Sequence, residues 1–130
     1  MARTDTPSID AWLCEAKALQ SAGKIGMYII HNGVVRSTAK DEARFHIPRG
    51  GVTGMELTHD EEKLAAAVAR AEAMPGIGLV RVWVNDGALS VGDDIMYVLI
   101  GGDIRPNVIS ALEELVDELK NHCLTEKELF

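Results

Sequence analysis

"GLVRVWVNDGALSVGDDIMYVLIGG", residues 78 to 102, decides the fold. GLVRVWVN alternates with a period of two, as a half-buried strand does. DGALSVGDD is turn chemistry, and DIMYVLIGG reads as a second strand. A connection this short joins neighbouring strands only in the antiparallel sense, because a parallel pair needs a crossover of a dozen or more residues. The stretch therefore argues for an α+β fold and against a doubly wound parallel sheet.

Working outward, THDEEKLAAAVARAEAM (58–74) predicts a helix, with Thr58 and Glu61 spaced as a capping box and Pro75-Gly76 as its stop. On the other side, DIRPNVISALEELVDELKNH (103–122) predicts a helix that buries Val108, Leu112, Leu115, Val116 and Leu119. Near the N-terminus, Thr6 is the expected cap and Pro7 the first helical position of a helix ending at Gly23. Its apolar face carries Ile9, Trp12, Leu13, Ala16 and Leu19. KIGMYIIHNGVVR (24–36) reads as a buried strand interrupted at Asn32-Gly33, where Gly33 marks a bulge or a close backbone approach. Residues 37–53 show no period, and GMEL (54–57) suits a short strand. The expected order is helix, strand, strand, helix, strand, strand, helix.

The chain has 130 residues, enough for one domain with a real core. Its net charge of −7 speaks against a broad nucleic-acid footprint, although a few arginines could still hold a small anion. Cys14 and Cys123 lie far apart, with no disulfide framework and no metal-type spacing. MARTDTPSID lacks an apolar signal core, and no run approaches the ~18 apolar residues of a membrane span. The expectation is a cytoplasmic protein without a metal.

Phosphate-loop, dinucleotide, zinc-protease and nucleophile-elbow motifs are all missing from the sequence. Of the histidines, His31 is expected to be a hydrogen-bonded strand residue, His46 a loop residue and His59 a helix-start residue. Arg36 stands where a strand meets the long loop. Arg105 stands at a helix N-terminus, where backbone N–H groups and the helix dipole favour anions. Each could grip a phosphate bidentately or pair with a surface acid. Lys120 and Lys127 lie seven residues apart at or beyond the end of the last helix. They could simply complement its dipole, or Lys120, if desolvated, could serve as acid, base or nucleophile.

Taken together these positions resemble the large, catalytic subunit of molybdopterin synthase, the MoaE family. IGMYIIHNGVVR is similar to the family's opening strand and its terminal arginine, here Arg36. GALSVGDDIMYVLI resembles its glycine–x–leucine–x–x–glycine–aspartate turn, here Gly87, Leu89, Gly92 and Asp93. Arg105 and the pair Lys120 and Lys127 fall on family positions. The similarity runs from about Ile25 to Phe130, with residues 1–24 a helix outside it. Where the family has a histidine before the last arginine, this chain has Ile104. A second histidine-arginine pair is replaced by Val84-Asn85.

The resemblance implies an α/β-hammerhead fold in a single domain, with a mostly antiparallel sheet and three main helices. It implies sulfur transfer in molybdenum cofactor biosynthesis. A ubiquitin-like small subunit would donate sulfur from its C-terminal Gly-Gly thiocarboxylate to cyclic pyranopterin monophosphate. Lys120 would be the principal catalytic amine and Lys127 its assistant, while Arg36 and Arg105 would hold the pterin phosphate. No cofactor is implied. The assembly would be a homodimer within a heterotetramer. The other reading is a non-catalytic relative that keeps the scaffold for binding. A synthase should gather these four cations at one concave site, whereas a scaffold would leave Lys120 solvated or paired with Glu113, Glu114 or Asp117.

Overall fold

The computed structural model describes residues 6–45 and 51–130; His46 therefore lies outside the described residues. The elements are α1 (Ile9–Lys17), β1 (Met27–Val34), α2 (Lys40–Phe45), β2 (Gly54–His59), α3 (Glu61–Glu72), β3 (Ile77–Val84), β4 (Gly87–Ser90), β5 (Asp94–Gly102), α4 (Arg105–Glu118) and β6 (Leu124–Leu129). A 3-10 turn, Gln20–Lys24, follows α1, and a π-helical turn, Leu119–Cys123, follows α4.

Two antiparallel three-stranded sheets are built, in the orders β1-β5-β3 and β4-β2-β6. Strand β5 is central in the first, and every residue from Ile95 to Gly102 is buried. Its two faces meet different layers. Met96, Val98 and Ile100 join the core with Val108, Ala111 and Leu115 of α4 and with Leu64, Ala67 and Ala71 of α3. On the opposite face Tyr97 meets Trp83 at 4.9 Å and Trp12 of α1, edge-on, at 6.3 Å between ring centres. Burial from both sides explains why β5 is an unbroken apolar run. The antiparallel β3–β5 pair is the one expected from the short connection.

That connection is more than a turn. Gly87 adopts φ 126°, and β4 leaves the first sheet to pair with β2, burying Leu89. The change of sheet makes the hammerhead. Four residues with one large apolar side chain are too few to show a period, so in sequence β4 looks like part of the turn. Strand β6 was missed for a similar reason, since LTEKEL carries charges on both faces. The 37–53 stretch contains α2, which is only six residues long.

Caps shift slightly from expectation. Ser8, not Thr6, caps α1 by accepting from Ala11 N, and α1 stops at Lys17, well before Gly23. Asp60, not Thr58, caps α3 through Lys63 N at 3.0 Å, because β2 continues through His59. Strand β1 runs through Asn32-Gly33, with the expected bulge between Gly33 and Val34.

His59 joins three elements at this corner. Its Nδ1 lies 2.8 Å from Asp86 Oδ1, and its Nε2 lies 2.6 Å from Glu61 Oε2. Burial opposes its charged form, but hydrogen bonds to Asp86 and Glu61, reinforced by their charges, outweigh this and raise its pKa. The resulting stabilisation is complete below the ordinary value of 6.5 and fades as pH rises through the folded value. The stability gap between the protein and His59→Gln in urea titrations should be larger at about pH 6 than at about pH 9; a pH-independent gap would contradict the paired imidazolium. Leu115, 2% exposed in the α4 face, should cost about 2–5 kcal/mol as Leu115→Ala. A loss under about 1 kcal/mol would show that the site collapses around the missing atoms.

Candidate active site

The site begins where β1 ends. Gly92, at φ 93°, lets the β4–β5 turn fold against this end: Gly92 N donates to Val35 O at 2.8 Å, and Val35 N donates to Asp93 O at 3.0 Å. Asp93 Oδ2 closes the turn by accepting from Ser90 N at 2.9 Å. Val35 is thereby buried, and Arg36 is exposed beside it, its Nε donating to Thr38 O at 3.1 Å. The backbone N–H of Lys40 donates to Glu128 Oε2 at 2.9 Å, which fastens α2 to β6. Lys40 and Arg44 are four residues apart, on one helical face.

The opposite wall is the end of α4. Leu119 and Cys123, 0% and 3% exposed, anchor the π-helical turn in the core, and Lys120 lies between them in sequence. The chain then reverses into β6, antiparallel to β2. Glu126 stands opposite Leu57, on the inward side of the sheet, and its Oε1 lies 3.5 Å from Lys120 Nζ. Both partners keep some solvent contact, so this pair contributes at most about 1 kcal/mol to stability. A cavity of about 230 Å³ lies between the walls, lined by Arg36, Lys40, Arg44, Lys120 and Glu126 together with His31, Gly33, Val34, Met55 and Ile95. Four cations thus face one carboxylate among the described lining residues, in a protein of net charge −7.

Against the expectation of a hydrogen-bonded residue, His31 has its Nε2 buried without a partner among the described residues. It also lines a second, open hollow of about 440 Å³ along α4, with Leu112, Glu113, Val116 and Asp117. Burial and then the nearby charge of Lys120 lower its pKa.

The structure brings Arg36 and Lys120 together; Lys127 and Arg105 lie elsewhere. Strand side chains alternate, so the neighbour of inward-facing Glu126 points out, and Lys127 is exposed opposite Glu56 on the outer face. Arg105 opens α4, a helix of 14 residues or ~21 Å, with Lys120 just past the other end. Asp103 already supplies an anion at that N-terminus. Its Oδ1 accepts from Asn107 Nδ2 at 2.9 Å and from Ile104 N at 2.6 Å, and these bonds lower its pKa. Lys120 pairs with Glu126 and not with Glu113, Glu114 or Asp117. Sequence reasoning missed Lys40, Arg44, Glu126 and His31 as site residues. Only the i, i+4 spacing of the first two could have signalled them, and α2 itself was unread. Among the described residues no group of side chains could hold a metal, and no helix is long and apolar enough to cross a membrane.

The fold is that of the MoaE proteins. The family model matches residues 5–122, and the chain belongs to the MoaE protein family. The match takes in α1 and ends just before β6. With the family comes the role of a molybdopterin synthase large subunit, a sulfur-transferring enzyme of molybdenum cofactor biosynthesis. Among solved structures, molybdopterin synthase from Staphylococcus aureus is 17% identical, with a TM-score of 0.73 over 97% of this chain and 87% of that one. The MoaE protein of Burkholderia ambifaria MC40-6 is 24% identical, with a TM-score of 0.71 over 97% and 84%. A complex of subunits 1 and 2 of molybdopterin-converting factor from Helicobacter pylori 26695 gives 16% identity and a TM-score of 0.64 over 94% and 80%. At such identities these structures speak for the fold. No curated protein sequence matches the chain significantly.

The lowered pKa of His31 yields a direct check. Its imidazole should titrate below 6.5, and Lys120→Met, which removes one of the two causes, should raise the midpoint part of the way. NMR titration of the ring signals reads both; an unmoved midpoint in Lys120→Met would separate the two side chains electrostatically.

Proposed function

We propose that the cavity bounded by Arg36, α2 and Lys120 is the sulfur-transfer site of this chain. The observation that carries the reading is the convergence of Arg36 and Lys120 on one hollow, with Lys40 and Arg44 adding charge and, among the described lining residues, Glu126 alone opposing it. A thiocarboxylate tail and a pterin phosphate are both anions, and fixed cations in a confined hollow suit both. Arg36, with its planar fork, is assigned to the phosphate of cyclic pyranopterin monophosphate. Lys120 is assigned the role of principal amine, placed to polarise the acyl carbon–sulfur group of the donor or the reacting carbon of the pterin. Lys127, on the outer face, is assigned the lesser, assisting part. Arg105 does not reach the cavity of its own chain, so its part in holding substrate is tied to the proposed homodimer.

The sulfur donor is proposed to be a small ubiquitin-like subunit ending in a Gly-Gly thiocarboxylate, giving a heterotetramer in the cytoplasm. The two-subunit Helicobacter complex supports a partner of that kind. The second reading, a non-catalytic relative that binds the same ligands, draws on a specific observation. Lys120 is ion-paired, and the four cations named from the sequence do not meet within one chain.

Single-turnover assays of purified variants decide between them. Lys120→Ala should abolish product formation while urea stability stays within about 1 kcal/mol, and Lys127→Ala should lose less activity. Full activity in Lys120→Ala, or a larger loss from Lys127→Ala, would overturn the assignment. Arg36→Ala should weaken pterin binding by about 1–3 kcal/mol in calorimetry. Unchanged affinity would remove Arg36 from the phosphate site.

A further inference from the structure

We infer that His31 is a substrate-contacting residue of this cavity, its Nε2 meeting a polar group on the heterocycle of a ligand whose phosphate is held by the surrounding cations. The inference rests on the synthase reading and extends it to a residue that the sequence placed in the core.

Three observations converge on it. The Nε2 atom is buried and has no hydrogen-bond partner among the described residues. Buried polar atoms are nearly always partnered, so an orphan nitrogen on a residue that lines a cavity points to a partner supplied by a ligand as it seats. The residue also lines both the cationic cavity and the hollow along α4, within reach of a ligand anchored among the cations. Finally, burial and then the charge of Lys120 favour a neutral ring. Lys120, Arg36, Lys40 and Arg44 line the cavity against Glu126, and Glu113 and Asp117 lie on the α4 side. Burial and Lys120 both disfavour the imidazolium. A neutral imidazole can offer Nε2 either as donor or as acceptor, according to tautomer, which suits a heterocycle that carries both kinds of group.

The test uses the full chain with 15N-labelled histidine and arginine, titrated with cyclic pyranopterin monophosphate and separately with inorganic phosphate. The pterin should shift the His31 Nε2 resonance strongly, while phosphate should perturb the Arg36 side chain and move His31 much less. In steady-state assays, His31→Phe should raise KM roughly tenfold, equivalent to about 1.4 kcal/mol, with little change in kcat. His31→Gln, which keeps a polar group, should recover most of the loss. A His31 resonance unmoved by bound pterin, or a wild-type KM in His31→Phe, would overturn the inference while leaving the synthase reading intact. Absence of pterin binding to the unaltered protein would overturn both. If His31→Phe fails to fold, the resonance shift and His31→Gln decide.

Discussion

The burial of Leu119 and Cys123 is the constraint on which the site depends. These two side chains hold a π-helical turn against the core at the end of α4, and that turn does three things at once. It fixes the backbone of Lys120, it reverses the chain into β6, and through β6 it brings Glu126 to the same side as Lys120. A continuous helix would have carried Lys127 to the face of Lys120, since residues seven apart nearly eclipse after two turns. The reversal replaces that second amine with a carboxylate. Within one chain the cavity therefore holds Lys120 with a counter-charge, facing an arginine from the end of β1 and a basic face from α2, while Lys127 stands on the outer face.

The opposite wall depends on the glycines of the β4–β5 connection. Gly87 lets β4 change sheets, and Gly92 lets the turn dock on Val35. The most specific motif in the sequence thus acts indirectly, by fixing the backbone from which Arg36 leaves. The excess of cations in a protein of net charge −7 is costly to assemble without a ligand, because like charges repel across a small cavity. An anion binding there relieves that repulsion, which makes the cavity's charge an argument about its occupant.

Much of the fold was legible because the deciding elements are long and periodic. The β3–β5 pair and helices α3 and α4 were readable from alternation, apolar stripes and a Pro-Gly stop. The short strands β4 and β6 were not, because four to six residues with mixed charge carry no usable period and are held in place by β2. The caps at Ser8 and Asp60 lay two residues from the expected ones, where several cap-type residues stood in a row. At the site, Arg36 was legible from its place at a strand end, and Lys120 from its place at a helix end. Glu126 and His31 were not, since each becomes part of the site only through tertiary contacts. Arg105 stands at the start of α4 as its sequence context suggests, close to Asp103, whose carboxylate accepts from Ile104 N and Asn107.

The central claim is that this cavity carries out sulfur transfer, and reconstitution tests it most directly. The protein would be mixed with a thiocarboxylated small subunit and cyclic pyranopterin monophosphate, and molybdopterin would be followed as its fluorescent oxidation product. The account predicts product that requires all three components. A folded protein that binds the small subunit yet yields no product would contradict it, and would leave the fold serving as a binding scaffold.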